Sequence, residues 1–99
     1  MSDPTLLVLA SLADGAKHGY AMMVDIQSFA NVRLGPGTLY GVITRLEQRG
    51  WIGSEWSTSD NNRRAKFYSL TRAGRNQLEK ELGEWERLSA AIALVLQQG

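Results

Sequence analysis

Residues 33–51, RLGPGTLYGVITRLEQRGW, read as one helix with a marked start, a marked stop and two unlike faces. Pro36 suits a first helical position, where its missing N–H costs nothing, and Gly35 can serve as the cap before it. Gly50 is a natural left-handed stop, and Arg45 and Arg49 complement the negative end of the helix dipole. Leu39, Val42, Ile43 and Leu46 recur at i, i+3, i+4 and i+7, a single apolar stripe. At about 100° per residue the opposite face carries Gly37, Gly41, Thr44 and Gln48, flanked by Tyr40 and Arg45. That face is small, polar and nearly free of acid. Each exposed glycine lowers helix propensity by roughly 1 kcal/mol relative to alanine. The cost makes sense if something large must come close to the backbone. The alternative is a solvated face built from poor helix formers.

N-terminal to this helix, Asp3-Pro4 reads as a cap and first turn for a helix over Thr5 to Leu12, TLLVLASL, apolar nearly all round. Ala13-Asp14-Gly15 ends it. Lys17 to Phe29 reads as a second helix, with Gly19 permitting close approach to a neighbouring backbone and His18 as a polar residue near the start. A short connection then leads into the central helix, the pattern of a helix-turn-helix. After Gly50 the period changes to about two. Trp51 to Ser57 alternates, with Ile52, Ser54 and Trp56 on one side. A turn cluster over residues 58–62 leads to a returning strand, Arg63 to Thr71, with Phe67, Tyr68 and Leu70 available for the core. Thr71 is a cap for a last helix from Arg72 to about Gln97, along which Leu78, Leu82, Trp85, Ile92 and Leu96 recur at helical spacing. The expected fold is mainly α with a β-hairpin wing. Residues 1–71 would form a winged helix-turn-helix and residues 72–99 a long C-terminal dimerisation helix. The end of that helix, AAIALVL, is apolar on all sides, and a second copy is the simplest cover for it.

Ninety-nine residues suffice for one domain with a modest core. The chain has no cysteine and one histidine, which excludes a disulfide framework and points to no metal site and no cofactor. No apolar run reaches the ~18 residues of a membrane span, and no signal-peptide pattern is visible, so a cytoplasmic protein is expected. A net charge of +1 says little, but its distribution says more. Residues 61–77 hold five basic side chains (Arg63, Arg64, Lys66, Arg72 and Arg75) and no acid, whereas residues 78–86 hold four glutamates against one lysine. A local basic stretch beside a turn hints at anion binding. An isolated histidine with no nucleophile near it argues against an enzyme, and no catalytic residue is assigned.

Four pieces together, His18-Gly19-Tyr20, Pro36-Gly37-Thr38-Leu39-Tyr40, Leu46-Glu47-x-x-Gly50 and Arg63-Arg64-x-Lys66-Phe67-Tyr68-x-Leu70-Thr71-x-x-Gly74, resemble the PadR family of bacterial transcriptional regulators. The likeness runs from about Leu6 to Gly74. The single last helix is similar to the smaller members of that family. Gly41 departs from the pattern, since many members carry proline there, and Phe67 stands where a tyrosine is common. The resemblance implies a dimeric winged-helix repressor that binds an inverted-repeat operator in double-stranded DNA. Its central helix would enter the major groove, and its last helix would dimerise with help from the first. It also implies a small aromatic effector as a partner. Trp85, in ELGEWERL, falls where a ligand-stacking tryptophan lies in drug-sensing relatives, but many relatives with no known ligand also carry an aromatic there, and plain dimer core is the preferred reading.

Residues and resemblance agree on a division of labour. Thr38, Tyr40, Arg63, Arg64 and Lys66 are expected on phosphates. Thr44, Arg45 and Gln48 are expected at base edges, where Arg pairs with guanine and Gln with adenine in two-point geometry. Glu47, nearer the apolar side, is expected to pair with an arginine or lysine. Leu6, Leu9, Leu78, Leu82, Trp85, Ile92 and Leu96 are the expected dimer contacts. The rival class is a winged-helix module that binds protein and not DNA; the acid-free basic wing argues against it.

Overall fold

Pro36–Gln48 is a helix in the structure, a computed structural model that describes residues 4–98. Gly35 caps it in an extended conformation with Pro36 in the first turn, and Gly50 ends it at φ +74°. It is α3 in the order α1 (Thr5–Ser11), β1 (Lys17–His18), α2 (Gly19–Ala30), α3, β2 (Ile52–Thr58), β3 (Arg64–Leu70) and α4 (Arg72–Gln98). Leu39, Val42, Ile43 and Leu46 are at most 2% exposed and pack with Val8, Leu9 and Leu12 from α1's end of the chain and Met22 and Ile26 from α2. Burying each such side chain is worth about 1.5–3 kcal/mol, so this cluster is the main source of stability.

The three strands form one antiparallel sheet in the order β1-β3-β2. The hairpin is in register from Ile52 opposite Leu70 to Thr58 opposite Arg64. Its turn is closed by Ser59 and Arg63 and takes a left-handed residue at Asn62. The start of α4 is latched to the end of α3. The Thr71 hydroxyl donates to the Gly50 carbonyl at 2.6 Å and accepts from the Gly74 N–H at 3.0 Å, the expected cap. Gly74 is required by its neighbour, because an added Cβ would sit 2.8 Å from the Trp51 carbonyl carbon.

Several boundaries differ from expectation, each for a local reason. Pro4 occupies the cap position of α1 without a side-chain cap bond, and Asp3 lies outside the described residues. Lys17 and His18 are not helical. They pair with Tyr68 and Phe67 as β1, a strand too short to show alternation in sequence. Gly19 makes room for the side chain of Tyr40 and not for a backbone: its added Cβ would lie 2.7 Å from Tyr40 Cζ. Trp56 shares a hairpin face with Ile52, but only Ile52, at the foot, is buried, while Trp56 is 58% exposed. Leu9 is wholly enclosed at 0% exposure and has no surface to offer a partner, and Leu78 also belongs to the protomer's own core.

Beyond Leu78 the long helix leaves the domain. Its 27 residues span about 40 Å, and Leu82, Trp85, Leu88, Ile92, Leu94, Val95 and Leu96 are all exposed. No helix among the described residues is long and apolar enough to cross a membrane.

Candidate nucleic-acid interface

Two surfaces meet at Tyr40. One is the outer face of α3. Gly37 and Gly41 each have nothing within 4 Å of an added Cβ, so the protomer's own packing does not demand glycine at either place. Thr38, Tyr40, Thr44, Arg45 and Gln48 are exposed on or beside this face. The Thr44 hydroxyl donates to the Tyr40 carbonyl at 2.9 Å, which leaves its methyl group and oxygen lone pairs to face outward. A shallow depression of about 470 Å³ runs over Gly37, Thr38, Gly41 and Arg45.

The other surface is a groove of about 560 Å³ between the start of α2, Tyr40 and the wing. Arg63, Arg64 and Lys66 line it, together with His18, Tyr20, Trp56, Ser59 and Asn61, and no acid does. Its cations are ordered by aromatic rings. The Arg64 guanidinium lies 5.5 Å from the Trp56 ring centre, and Lys66 Nζ lies 5.9 Å from that of Tyr68. Trp56 and Lys66 are also direct cross-strand partners. Interleaving of this kind holds long basic side chains in place while leaving their charge accessible. Tyr68 is buried beneath; burial, then the nearby Glu47 and Tyr40, raise its phenol above the usual tyrosine value, so it stays protonated at neutral pH. Glu47 takes a different partner from the basic one expected: it accepts a hydrogen bond from the Ser54 hydroxyl at 3.2 Å. That bond pins the hairpin to α3 and turns the carboxylate toward β2.

The expected site residues therefore divide between two adjoining surfaces, with Thr38, Thr44, Arg45 and Gln48 on α3, Arg63, Arg64 and Lys66 in the groove, and Tyr40 between them. His18, Tyr20 and Trp56 line the same groove, and sequence reasoning does not place them there. For Trp56 the available signal is its place opposite a basic arm; for His18 and Tyr20 it is the glycine between them, which brings Tyr40 alongside.

A third surface is apolar. Leu6, Leu7, Ala10, Ala13, Leu78, Leu82 and Trp85 line a groove of about 620 Å³ between α1 and α4. Among the described residues no group of three or more His, Cys, Asp or Glu could hold a metal.

Three helices, a helix-turn-helix between the second and third, and a projecting hairpin define a winged helix-turn-helix. The family model for the Transcriptional regulator PadR-like family matches residues 8–80, and the chain belongs to that family. A crystal structure of a PadR family transcription regulator from Clostridium difficile R20291 superposes with a TM-score of 0.83 at 26% identity, covering 93% of this chain and 96% of that one. The chain is 34% identical over 87 residues to a transcriptional regulator of Mycobacterium tuberculosis, covering 88% of this chain and 79% of that protein. It is also 40% identical over 91 residues to a 37.1 kDa protein of transposon TN4556 from Streptomyces fradiae, covering 92% of this chain but only 25% of that protein.

Proposed function

We propose that this chain is a sequence-specific DNA-binding regulator that works as a homodimer and represses transcription in the cytoplasm. The observation that carries the reading is the acid-free groove in which Arg63, Arg64 and Lys66 of the wing face Tyr40, beside the open face of α3. In a winged helix the third helix enters the major groove, and the cleft between helix and wing takes the adjoining sugar-phosphate strand. Tyr40, Thr38 and the wing cations then set register. Thr44, Arg45 and Gln48 meet base edges, and the bare backbone at Gly37 and Gly41 lets them approach closely.

The dimer reading is supported by the apolar groove between α1 and α4 and by the exposed apolar end of α4. Permanent pairs commonly bury ~2,000 Å² or more, within reach of a helix this long. Residues 72–99 are the proposed dimerisation element, with Leu6, Leu82, Trp85, Ile92 and Leu96 as contacts. Trp85 is the proposed wall of an effector slot for a planar aromatic molecule. Glu81 and Glu84 line a second depression of about 330 Å³ beside it together with Arg49, and the one acid left in excess favours a cation.

Selecting genomic DNA fragments that bind the full chain tests the reading. The expected result is enrichment of an inverted repeat whose half-sites lie about one helical turn, 34–36 Å, apart. Failure to enrich any sequence, with no retention on random duplex, would favour the protein-binding module instead.

A further inference from the structure

We propose that His18 is a neutral hydrogen-bond donor to a DNA phosphate in the wing groove, an inference that rests on the DNA-binding reading above. His18 caps α2 through its ring: Nδ1 accepts from the Ala21 N–H at 3.2 Å. A nitrogen that accepts carries no proton, so the neutral ring bears its hydrogen on Nε2. Among the described residues Nε2 has no acceptor. The ring is held on a second side by Phe67, edge to face with centroids 5.3 Å apart and planes at 74°. Its backbone is fixed as well, since His18 is the β1 partner of Phe67. The result is one N–H donor, oriented by a cap and a ring stack, at the wall of the groove that holds Arg63, Arg64 and Lys66.

That donor has a chemically obvious acceptor. Three cations without an acid call for an anion, and a phosphate oxygen accepts hydrogen bonds only. The usual helix caps Ser, Thr, Asp and Asn are short and keep their polar atoms close to the backbone, as Thr71 does between Gly74 and Gly50. Aspartate would also set a negative charge against the phosphate. Histidine caps with one nitrogen and keeps a donor on the other, with no added charge. The lone histidine of the chain, unused by any other site, is thus assigned to positioning DNA.

The test is binding of the full chain to a random-sequence duplex, read by fluorescence anisotropy across a salt series. The wild type is compared with His18→Ser and with the double variant Arg63→Ala/Arg64→Ala. Serine preserves the cap, and its short hydroxyl stops short of the position that Nε2 occupies. We expect His18→Ser to weaken binding about tenfold, the weight of one hydrogen bond to a charged group, with the salt slope unchanged because a neutral donor displaces no counterion. The double variant lowers the slope. Circular dichroism checks the fold, and His18→Asn, whose amide caps but stops short of the Nε2 position, repeats the test should the serine variant unfold. Undiminished affinity of a folded His18 variant, beside a weakened wing variant, overturns the role of His18 and leaves the DNA reading standing. A slope reduced as in the wing variant overturns the neutral donor in favour of an imidazolium contact. Absence of salt-dependent binding by the wild type overturns the DNA reading itself.

Discussion

The phenol ring of Tyr40 lies over Gly19 with no space for a side chain between them. This contact ties the start of α2 to the first turns of α3 and sets Tyr40 at the junction of the two proposed DNA-facing surfaces. Gly19→Ala should leave the core intact, since only the free end of the tyrosine must move, but it should displace the hydroxyl. One hydrogen bond to phosphate fewer corresponds to about 1.5 kcal/mol, roughly a tenfold weaker complex. Anisotropy titration on duplex DNA measures this, with a thermal melt as the fold control.

Gly41 offers a test in which stability and function move in opposite directions. Its added Cβ meets nothing in the protomer, and alanine is favoured over glycine inside a helix by about 0.8–1 kcal/mol. Gly41→Ala should raise the melting temperature by about 4–8 °C for a domain of this size. The same substitution should weaken binding to the selected operator, because the methyl group stands where the duplex must come close. A stabilised variant with undiminished affinity would return α3's outer face to plain solvent.

Ile92 lies far along α4, outside the protomer's core, and is half exposed. Ile92→Asp should therefore spare the fold of the winged domain while placing a charge in the proposed helix-helix contact. Analytical ultracentrifugation should show monomer, and operator binding should fall with it. A DNA-competent monomer would break the link between assembly and recognition.

Trp85 is 60% exposed in the protomer, beside Leu6 of α1 and above the apolar groove. If it walls an effector slot, planar cationic dyes should quench tryptophan fluorescence, and Trp85→Ala should remove most of that signal while the dimer persists. Offset stacking contributes about 0.5–1.5 kcal/mol beyond area burial, so dye affinity should fall about 2- to 13-fold or more. Trp51 and Trp56 also emit, which makes the variant the necessary control. Dye binding that survives the substitution removes the slot; a dimer that dissolves makes Trp85 part of the contact itself.

What the sequence discloses follows from what each pattern encodes. Leu39, Val42, Ile43 and Leu46 announce α3 because four apolar side chains at helical spacing leave one arrangement that buries them all. Thr71 announces the start of α4 because a cap is a local bond between neighbours in sequence. β1 escapes notice because two residues cannot display alternation. Ile52 and Trp56 share a face as their alternation predicts, but alternation does not tell whether anything covers that face, and the hairpin outruns the core above Ile52. Leu9, expected at the dimer contact, misleads for a related reason, since a helix apolar all round does not say which side meets its own protomer. In the site, the basic arm and the open face of α3 are legible as composition. The meeting of His18, Tyr40 and the wing is not, because it depends on contacts between residues distant in sequence.

In the proposed complex DNA binding centres on the wing groove, and salt dependence reads that groove most directly. Wild type and Arg63→Ala/Arg64→Ala are titrated with one duplex from low to moderate salt, then with a second of unrelated sequence. The double variant should bind both duplexes more weakly by similar factors, with a salt slope reduced by roughly one unit for each phosphate no longer neutralised. A slope identical to that of the wild type would mean that the wing arginines touch no phosphate, and would contradict the assignment of this groove to DNA.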